Sequence, residues 1–319
     1  MNRDKKIIYM GTPQFAVAPL KRLMESGYNI CAVVTAPDKP SGRGLQLSQS
    51  DVKQFAIANG LEVLQPVSLK DPEFLNRLKS FGAELFVVVA FRMLPADVWK
   101  MPGLGTFNLH ASLLPQYRGA APINHAIING ERKTGVTTFL LDEKIDTGAV
   151  LFQKECLIEP HDNMGSLHDK LMEIGSELVV LTAEAIFSGN AKAIPQPSVN
   201  EQELKPAPKL SRETGSVDWK QSAESINNLI RGLSPYPAAY SVMKTEGKEI
   251  QVKIFSANLI EQKCEHSPGT IVKTSKTSFM VACGDGYLSI TSLQPSGKRK
   301  MTTAEFMAGM RDPENWRFE

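Results

Sequence analysis

The chain has 319 residues, 42% hydrophobic and 22% charged, with a formal net charge of +2. That is the ordinary mix of a globular protein with buried cores, and the length suggests about two domains. No run of eighteen apolar residues occurs, and the four cysteines (Cys31, Cys156, Cys264 and Cys283) form no CxxC pair, which argues against a membrane-spanning helix, a disulfide framework and a structural zinc site.

Charges at Arg3, Asp4, Lys5 and Lys6 precede only a short apolar run. It lacks the long apolar core of a secretory signal, so a reducing, cytoplasmic location is expected. Ile7 to Met10 reads as a strand, Gly11 to Pro13 as a turn, Phe15 to Glu25 as a helix ended by Gly27, and Ile30 to Thr35 as a second strand. Strand, glycine turn, helix, strand is the βαβ unit of an α/β domain. The turn holds one glycine, so the GxGxxG dinucleotide fingerprint is absent. Gly11 either aims the following helix N-terminus at an anionic or polar group or simply makes a good turn.

Residues 36 to 50, APDKPSGRGLQLSQS, are polar, basic and broken by Pro37, Pro40, Gly42 and Gly44. Connections inside α/β units usually take about 2–6 residues, so a loop this long is either functional or a loose insertion. Lys39 and Arg43 offer it positive charge. Helices are then expected over Asp51 to Asn59 and Pro72 to Ser80, with a short strand over Leu61 to Leu64. Glu84 to Ala90 (ELFVVVA) is the continuous β-branched run of a strand buried on both faces. Gly105 to His110 is a strand, Ala120 to Asn129 a helix, Gly135 to Leu140 a strand and Ala149 to Ile158 an extended pair or hairpin. Asn163 to Phe187 carries the longest helical pattern, through Leu167, Leu171, Ile174, Leu178 and Leu181.

The texture changes at residues 191 to 216, which are rich in proline and basic through Lys205, Lys209 and Arg212. This composition marks a linker. The expected division is a catalytic domain over 1–190, a linker over 191–210 and a second domain over 211–319. Beyond SAESINNLIRGL, a short helix, strands alternate with turns from Ala239 to Leu293. That pattern predicts an antiparallel sheet or small barrel of the OB-like kind. From Lys205 onward there are 16 Lys and Arg against 12 Asp and Glu. A mildly basic second half permits contact with a polyanion, although normal surface variation explains it as well.

The chemistry concentrates in FNLHASLLPQYRGAAP, residues 107 to 122. Asn108 and His110 share one face if the stretch is extended, and a strand end is where open α/β sheets place ligands. An Asn amide facing a developing oxyanion, next to a His acid–base group, suits attack on a carbonyl. A capping or core hydrogen-bonding role is the plainer alternative for such a pair. A carboxylate to orient the histidine is offered by Asp142 or Asp146, and spacing alone leaves both open. No HExxH and no pair of histidines one helical turn apart supports a metal site, and no G-x-S-x-G activates Ser112.

These residues carry a resemblance. GTPQFAVAPL, PSGRG, FNLHASLLPQYRGAAP, DTG with Asp146, PAPKLSRETGSVDW, RGLSPYPAAY and SLQPSGKRKMTTAEFMAG occur in order. Together they make the chain resemble the methionyl-tRNA formyltransferase family over essentially its full length. The core motif is shared with the wider folate-dependent formyltransferases, and the linker and second domain select this family. The resemblance implies an α/β, Rossmann-like formyltransferase domain followed by a mainly β, OB-like tRNA-binding domain. It implies 10-formyltetrahydrofolate as donor, with no metal, and the α-amino group of initiator methionyl-tRNA as acceptor. It implies a catalytic set of Asn108, His110 and Asp146, and a folate contact at Ser112, Leu113, Leu114 and Pro115 with further walls from residues 85–95. Contacts to tRNA are expected from Lys39, Arg43, Lys209, Lys298 and Arg299, and the protein is expected to be a monomer. Trp219, Tyr236 and Tyr240 are expected to pack the second domain, with base stacking as the alternative. A noncatalytic RNA-binding protein of the same fold is the rival class, and the intact Asn–His–Asp set argues against it.

Overall fold

The structure is a computed structural model, and it describes residues 4–41, 46–197, 200–310 and 312–319. The chain divides into two compact units. The first comprises Met1–Gly119, Lys133–Leu157 and His168–Pro206, and the second Ala120–Arg132, Ile158–Leu167 and Ala207–Glu319. Two segments from the first 190 residues therefore pack within the second unit.

The first unit opens with β1 (Lys6–Gly11), α1 (Val17–Glu25) and β2 (Asn29–Val34). Its long basic loop is not wholly irregular. β3 (Lys39–Ser41) and β4 (Gln46–Ser48) pair antiparallel. Next come α2 (Asp51–Ala58), β5 (Val63–Leu64), α3 (Pro72–Ser80), β6 (Leu85–Val89), α4 (Ala96–Trp99) and β7 (Thr106–His110). The Ser50 hydroxyl accepts from the Lys53 amide at the start of α2, and the Asp71 carboxylate accepts from the Glu73 amide at the start of α3. Each such cap stabilises its helix by about 1 kcal/mol.

After α5 (Pro122–Ile128), which belongs to the second unit, β8 (Lys133–Leu140), β9 (Val150–Leu157) and α6 (Met164–Phe187) follow. The sheet order is β5-β2-β1-β6-β7-β8-β9. The strands from β5 to β7 are parallel, and β8 and β9 are added antiparallel. Residues 149–158 were expected as an extended pair or hairpin. They form one strand instead, because their ladder partner is the earlier β8. From β1 the chain winds outward to β2 and β5, and from β6 it winds the other way to β7. A crevice opens at the carboxyl ends of strands where winding reverses in this way. β6 is buried at every position, as its unbroken apolar run requires. Gly175 lets α6 lie close behind β7, since a Cβ there would sit 2.8 Å from Leu109 Cδ2.

The second unit contains α7 (Ala223–Leu233), β10 (Ala239–Thr245), β11 (Lys248–Ile260), β12 (Ile271–Lys273), β13 (Phe279–Ala282), β14 (Tyr287–Pro295), β15 (Met301–Thr302), α8 (Thr303–Ala308) and β16 (Arg317–Phe318). The strand order is β12-β13-β14-β11-β10-β16, with β15 on β14, and the paired strands run antiparallel. The two ends of this sheet meet. Thr270 bridges Arg317, and the Phe318 amide donates to the Gly269 carbonyl at 2.8 Å. This contact brings the sheet close to a closed barrel and covers part of its edges. Ala223, Ile226, Ile230 and Leu233 recur at helical spacing and bury one face of α7 with Val252, Ile254 and Leu288 in the barrel core. Among the described residues no helix is long and apolar enough to cross a membrane.

Candidate active site

β7 lies between β6 and β8, with Asn108 beside Val88 and Phe139, and His110 beside Thr137. Because the segment is extended, both side chains share a face at the strand's carboxyl end. His110 is only 6% exposed. Its Nε2 lies 2.8 Å from the Tyr117 carbonyl oxygen. A carbonyl only accepts, so Nε2 carries the proton. Nδ1 then faces Asp146 Oδ2 at 3.7 Å, longer than a hydrogen bond. The same Oδ2 accepts from the Gly119 amide at 3.0 Å. Asn108 is half-buried, and its amide has no hydrogen-bond partner among the described residues. This face therefore presents an amide and an imidazole beside a carboxylate.

Asp146 stands in a loop that is held tightly. Tyr117 and Asp146 adopt left-handed backbone, with φ of 60° and 55°. Such conformations cost about 1 kcal/mol or more for a non-glycine residue and persist where surrounding contacts dictate them. One contact is Gln196, whose Nε2 donates to the carbonyls of Asp146 and Gly148, each at 2.9 Å. Its Oε1 accepts from Arg118 Nη2 at 2.6 Å. Asp142, the other carboxylate that spacing had left open, accepts from the Thr147 hydroxyl and the Lys144 amide and so shapes the loop itself. At Gly148 an added Cβ would collide with the Leu140 carbonyl.

Residues 112–115 form a turn fastened to β8. The Ser112 hydroxyl is 0% exposed and donates to the Gln116 carbonyl at 2.6 Å. Thr137 Oγ1 donates to the Ser112 carbonyl and accepts from the Leu114 amide, while Gln153 donates to the Leu114 carbonyl. Leu114 is buried, and Leu113 and Pro115 keep surface exposed. Past β6, residues 67–70 and 92–97 line a cleft of about 640 Å³. Arg92 donates to the carbonyls of Pro66 and Val67 on its wall, and burial pushes its guanidinium below its ordinary pKa.

The remaining cationic candidates differ in their surroundings. Lys39 is exposed on β3, and Arg43 lies outside the described residues. Lys209 and Lys298 are exposed. Arg299 is paired with Glu305 at 2.6 Å, and Lys300 lies over the Phe255 ring. Trp219 is buried and donates to the Ser241 hydroxyl, whereas Tyr236 is 76% exposed. No group of three or more His, Cys, Asp or Glu side chains with metal-ligand geometry occurs among the described residues.

Comparison with known proteins decides between chemistries that this geometry alone allows. The formyl transferase family matches residues 5–183, and the formyl transferase C-terminal domain matches residues 209–311. A methionyl-tRNA formyltransferase of Flavobacterium johnsoniae is 50% identical over 305 residues, covering 96% of this chain and 96% of its own length. The chain belongs to the methionyl-tRNA formyltransferase family.

Two solved structures show the fold. HypX from Aquifex aeolicus in complex with tetrahydrofolic acid is similar over 94% of this chain, at 21% identity and a TM-score of 0.64. The chain spans 46% of the length of HypX. The N-formyltransferase from Helicobacter canadensis, in complex with folinic acid and dTDP-3-aminofucose, is similar over 93% of this chain and 100% of its own, at 20% identity and a TM-score of 0.66.

In this family member, sequence reasoning overlooked the groups that support the candidate site. The Tyr117 carbonyl and Gly119 amide belong to YRG, which reads as a turn into the next helix. Gln196 sits between Pro195 and Pro197 in a segment whose composition reads as linker. A polar side chain flanked by two prolines, and so held in a restricted backbone, was the available signal.

Proposed function

We propose that the chain transfers the formyl group of 10-formyltetrahydrofolate, a cosubstrate consumed in each turnover, to the α-amino group of methionine on initiator tRNA. One observation carries the reading: an unpartnered Asn108 amide shares its face at the carboxyl end of β7 with His110, which in turn faces Asp146, in a chain of this family. The neutral amine attacks the formyl carbon, and negative charge gathers on the formyl oxygen. Asn108 donates to that oxygen, where a fixed donor helps most. His110, whose Nε2 is held by the Tyr117 carbonyl, takes the proton released from the amine at Nδ1, directly or through water, with the Asp146 carboxylate facing the charge that forms there, and returns a proton to the departing folate nitrogen. The pterin and its tail need a slot with apolar walls, and the cleft of about 640 Å³ beside β6 lies within the range of small-molecule sites. Leu113 and Pro115 supply exposed surface of the 112–115 segment, while Ser112 and Leu114 hold that turn in shape.

Residues 1–190 serve as the catalytic domain, 191–210 as the linker and 211–319 as the tRNA-binding domain. Lys39, Lys209, Lys298 and Arg299 contact the tRNA backbone, with Arg299 already shared with Glu305, and Arg43 makes the discriminating contact near the 3′ end. The protein acts in translation initiation as a cytoplasmic monomer. Replacing His110 with Ala is expected to abolish formyl transfer while leaving the tRNA Kd unchanged. Transfer by the variant at the parent rate would remove His110 from the reaction.

A further inference from the structure

Residues 203–205, in the stretch whose composition reads as linker, are hydrogen-bonded to the turn that follows β7. Gln116 is where the two are fastened. Its main chain belongs to the turn: the amide donates to the Leu113 carbonyl at 3.2 Å, and the carbonyl accepts from the Ser112 hydroxyl at 2.6 Å. Its side chain reaches the other way. Nε2 donates to the Glu203 carbonyl at 3.2 Å, and Oε1 accepts from the Lys205 amide at 2.8 Å. The next residue adds a third bond, from the Tyr117 amide to the Lys205 carbonyl at 2.7 Å. Glu203, Lys205 and Pro206 are exposed, so few buried side chains hold this stretch and its place depends on these bonds.

Tyr117 is thereby held from both sides. Its amide is tied to residue 205, and its carbonyl lies 2.8 Å from His110 Nε2 and accepts the proton there. Its backbone is left-handed, with φ of 60°, a conformation that a non-glycine residue keeps only where its contacts dictate it. A carbonyl fixed in this place keeps the imidazole proton on Nε2 and leaves Nδ1 open toward Asp146. If the Tyr117 peptide turns away, Nε2 loses its acceptor and the proton can sit on either nitrogen. We propose that Gln116 is a positioning residue: it fastens residues 203–205 across the turn, holds the Tyr117 carbonyl against His110, and so fixes Nδ1 as the nitrogen that takes the proton. The inference rests on His110 being the acid–base group of formyl transfer. It makes residues 203–205 a support of the catalytic histidine as well as a connection along the chain.

The test compares the full-length parent with two variants. Gln116→Met removes both side-chain bonds, and Gln116→Glu keeps the acceptor for the Lys205 amide while losing the donor to Glu203. Imidazole nitrogen NMR of histidine-labelled protein, with the ring neutral and the His110 signals identified by their loss in His110→Ala, reads the tautomer. The parent shows the Nε2–H form alone, and Gln116→Met shows a mixture, with faster hydrogen exchange at the Tyr117 amide. In the same variant kcat falls about tenfold, the effect of losing about one hydrogen bond's worth of positioning, and KM for either substrate stays at the parent value. Gln116→Glu falls between the two on every readout, and it carries the test alone if Gln116→Met does not fold. A single Nε2–H tautomer in the variants, or a raised KM at parent kcat, would overturn the positioning role. A tautomer that shifts in the variants of a protein whose parent does not formylate methionyl-tRNA would sink the proposed reaction and leave the role of Gln116 standing.

Discussion

Replacing Gln196 with Met isolates the support of the catalytic carboxylate. Met keeps the length of the side chain and removes its hydrogen-bonding groups. Three contacts are lost: donation to the carbonyls of Asp146 and Gly148, and acceptance from Arg118. The shared Nε2 donor is worth about 1 kcal/mol and the bond to the guanidinium about 2 kcal/mol. Arg118 Nε already lacks a partner, so the guanidinium loses much of its remaining satisfaction. The loop holding Asp146 is then loosened by about 2–3 kcal/mol, and its carboxylate keeps the Gly119 amide as its recorded hydrogen bond. If a third to a half of that reaches the transition state, kcat falls about three- to tenfold, at 1.4 kcal/mol per factor of ten. Steady-state formylation gives kcat, and hydrogen exchange at the Leu140 amide, which donates to Ala149, reports the loop. The account predicts lower kcat, faster exchange there and an unchanged Kd for tRNA. A folded variant with parent kcat would refute the claim that Gln196 positions Asp146.

Two further predictions concern stability. Gly148→Ala places a Cβ against the Leu140 carbonyl and is expected to destabilise the first unit by about 3 kcal/mol, read by urea titration of the 142–149 region; an unchanged midpoint would show that the loop yields freely. At the start of α8 the Thr302 hydroxyl accepts from the Glu305 amide, and Glu305 accepts from the Thr302 amide and from Arg299. Arg299 and the cap hold the Glu305 carboxyl down at about 2. A depressed acid stabilises above its unfolded value of about 4.3 and loses that contribution as pH falls toward the folded value. Helix α8 should therefore loosen between about pH 4 and pH 2, and Glu305→Gln should remove that acid dependence in NMR titration; a titration unchanged by the substitution would contradict this.

Much of the architecture was legible because it rests on local pattern. The run Leu85–Val89 could only be a strand covered on both faces, and the apolar spacing from Leu167 to Leu181 could only be a long helix. The same-face placement of Asn108 and His110 followed from strand geometry. The features that escaped depend on distant partners. β9 reads like a hairpin until β8 is seen to pair with it. The short β3–β4 pairing lies in a stretch whose prolines and glycines point to irregular loop. The choice between Asp142 and Asp146 turns on which way each carboxylate faces: one toward Thr147, the other toward His110. Gln196 acts on a loop some fifty residues earlier, as its contact with Asp146 spans 50 positions. Arg299, expected from the sequence as a tRNA contact, pairs with Glu305 in the structure.

The central claim is that this site formylates the methionine of an initiator tRNA. Its most direct test supplies purified protein with 10-formyltetrahydrofolate and follows label from the formyl group into methionyl-tRNA, with initiator and elongator tRNA in parallel. The account predicts transfer to initiator methionyl-tRNA and little to the elongator species. Label entering both tRNAs equally, or neither, would contradict it.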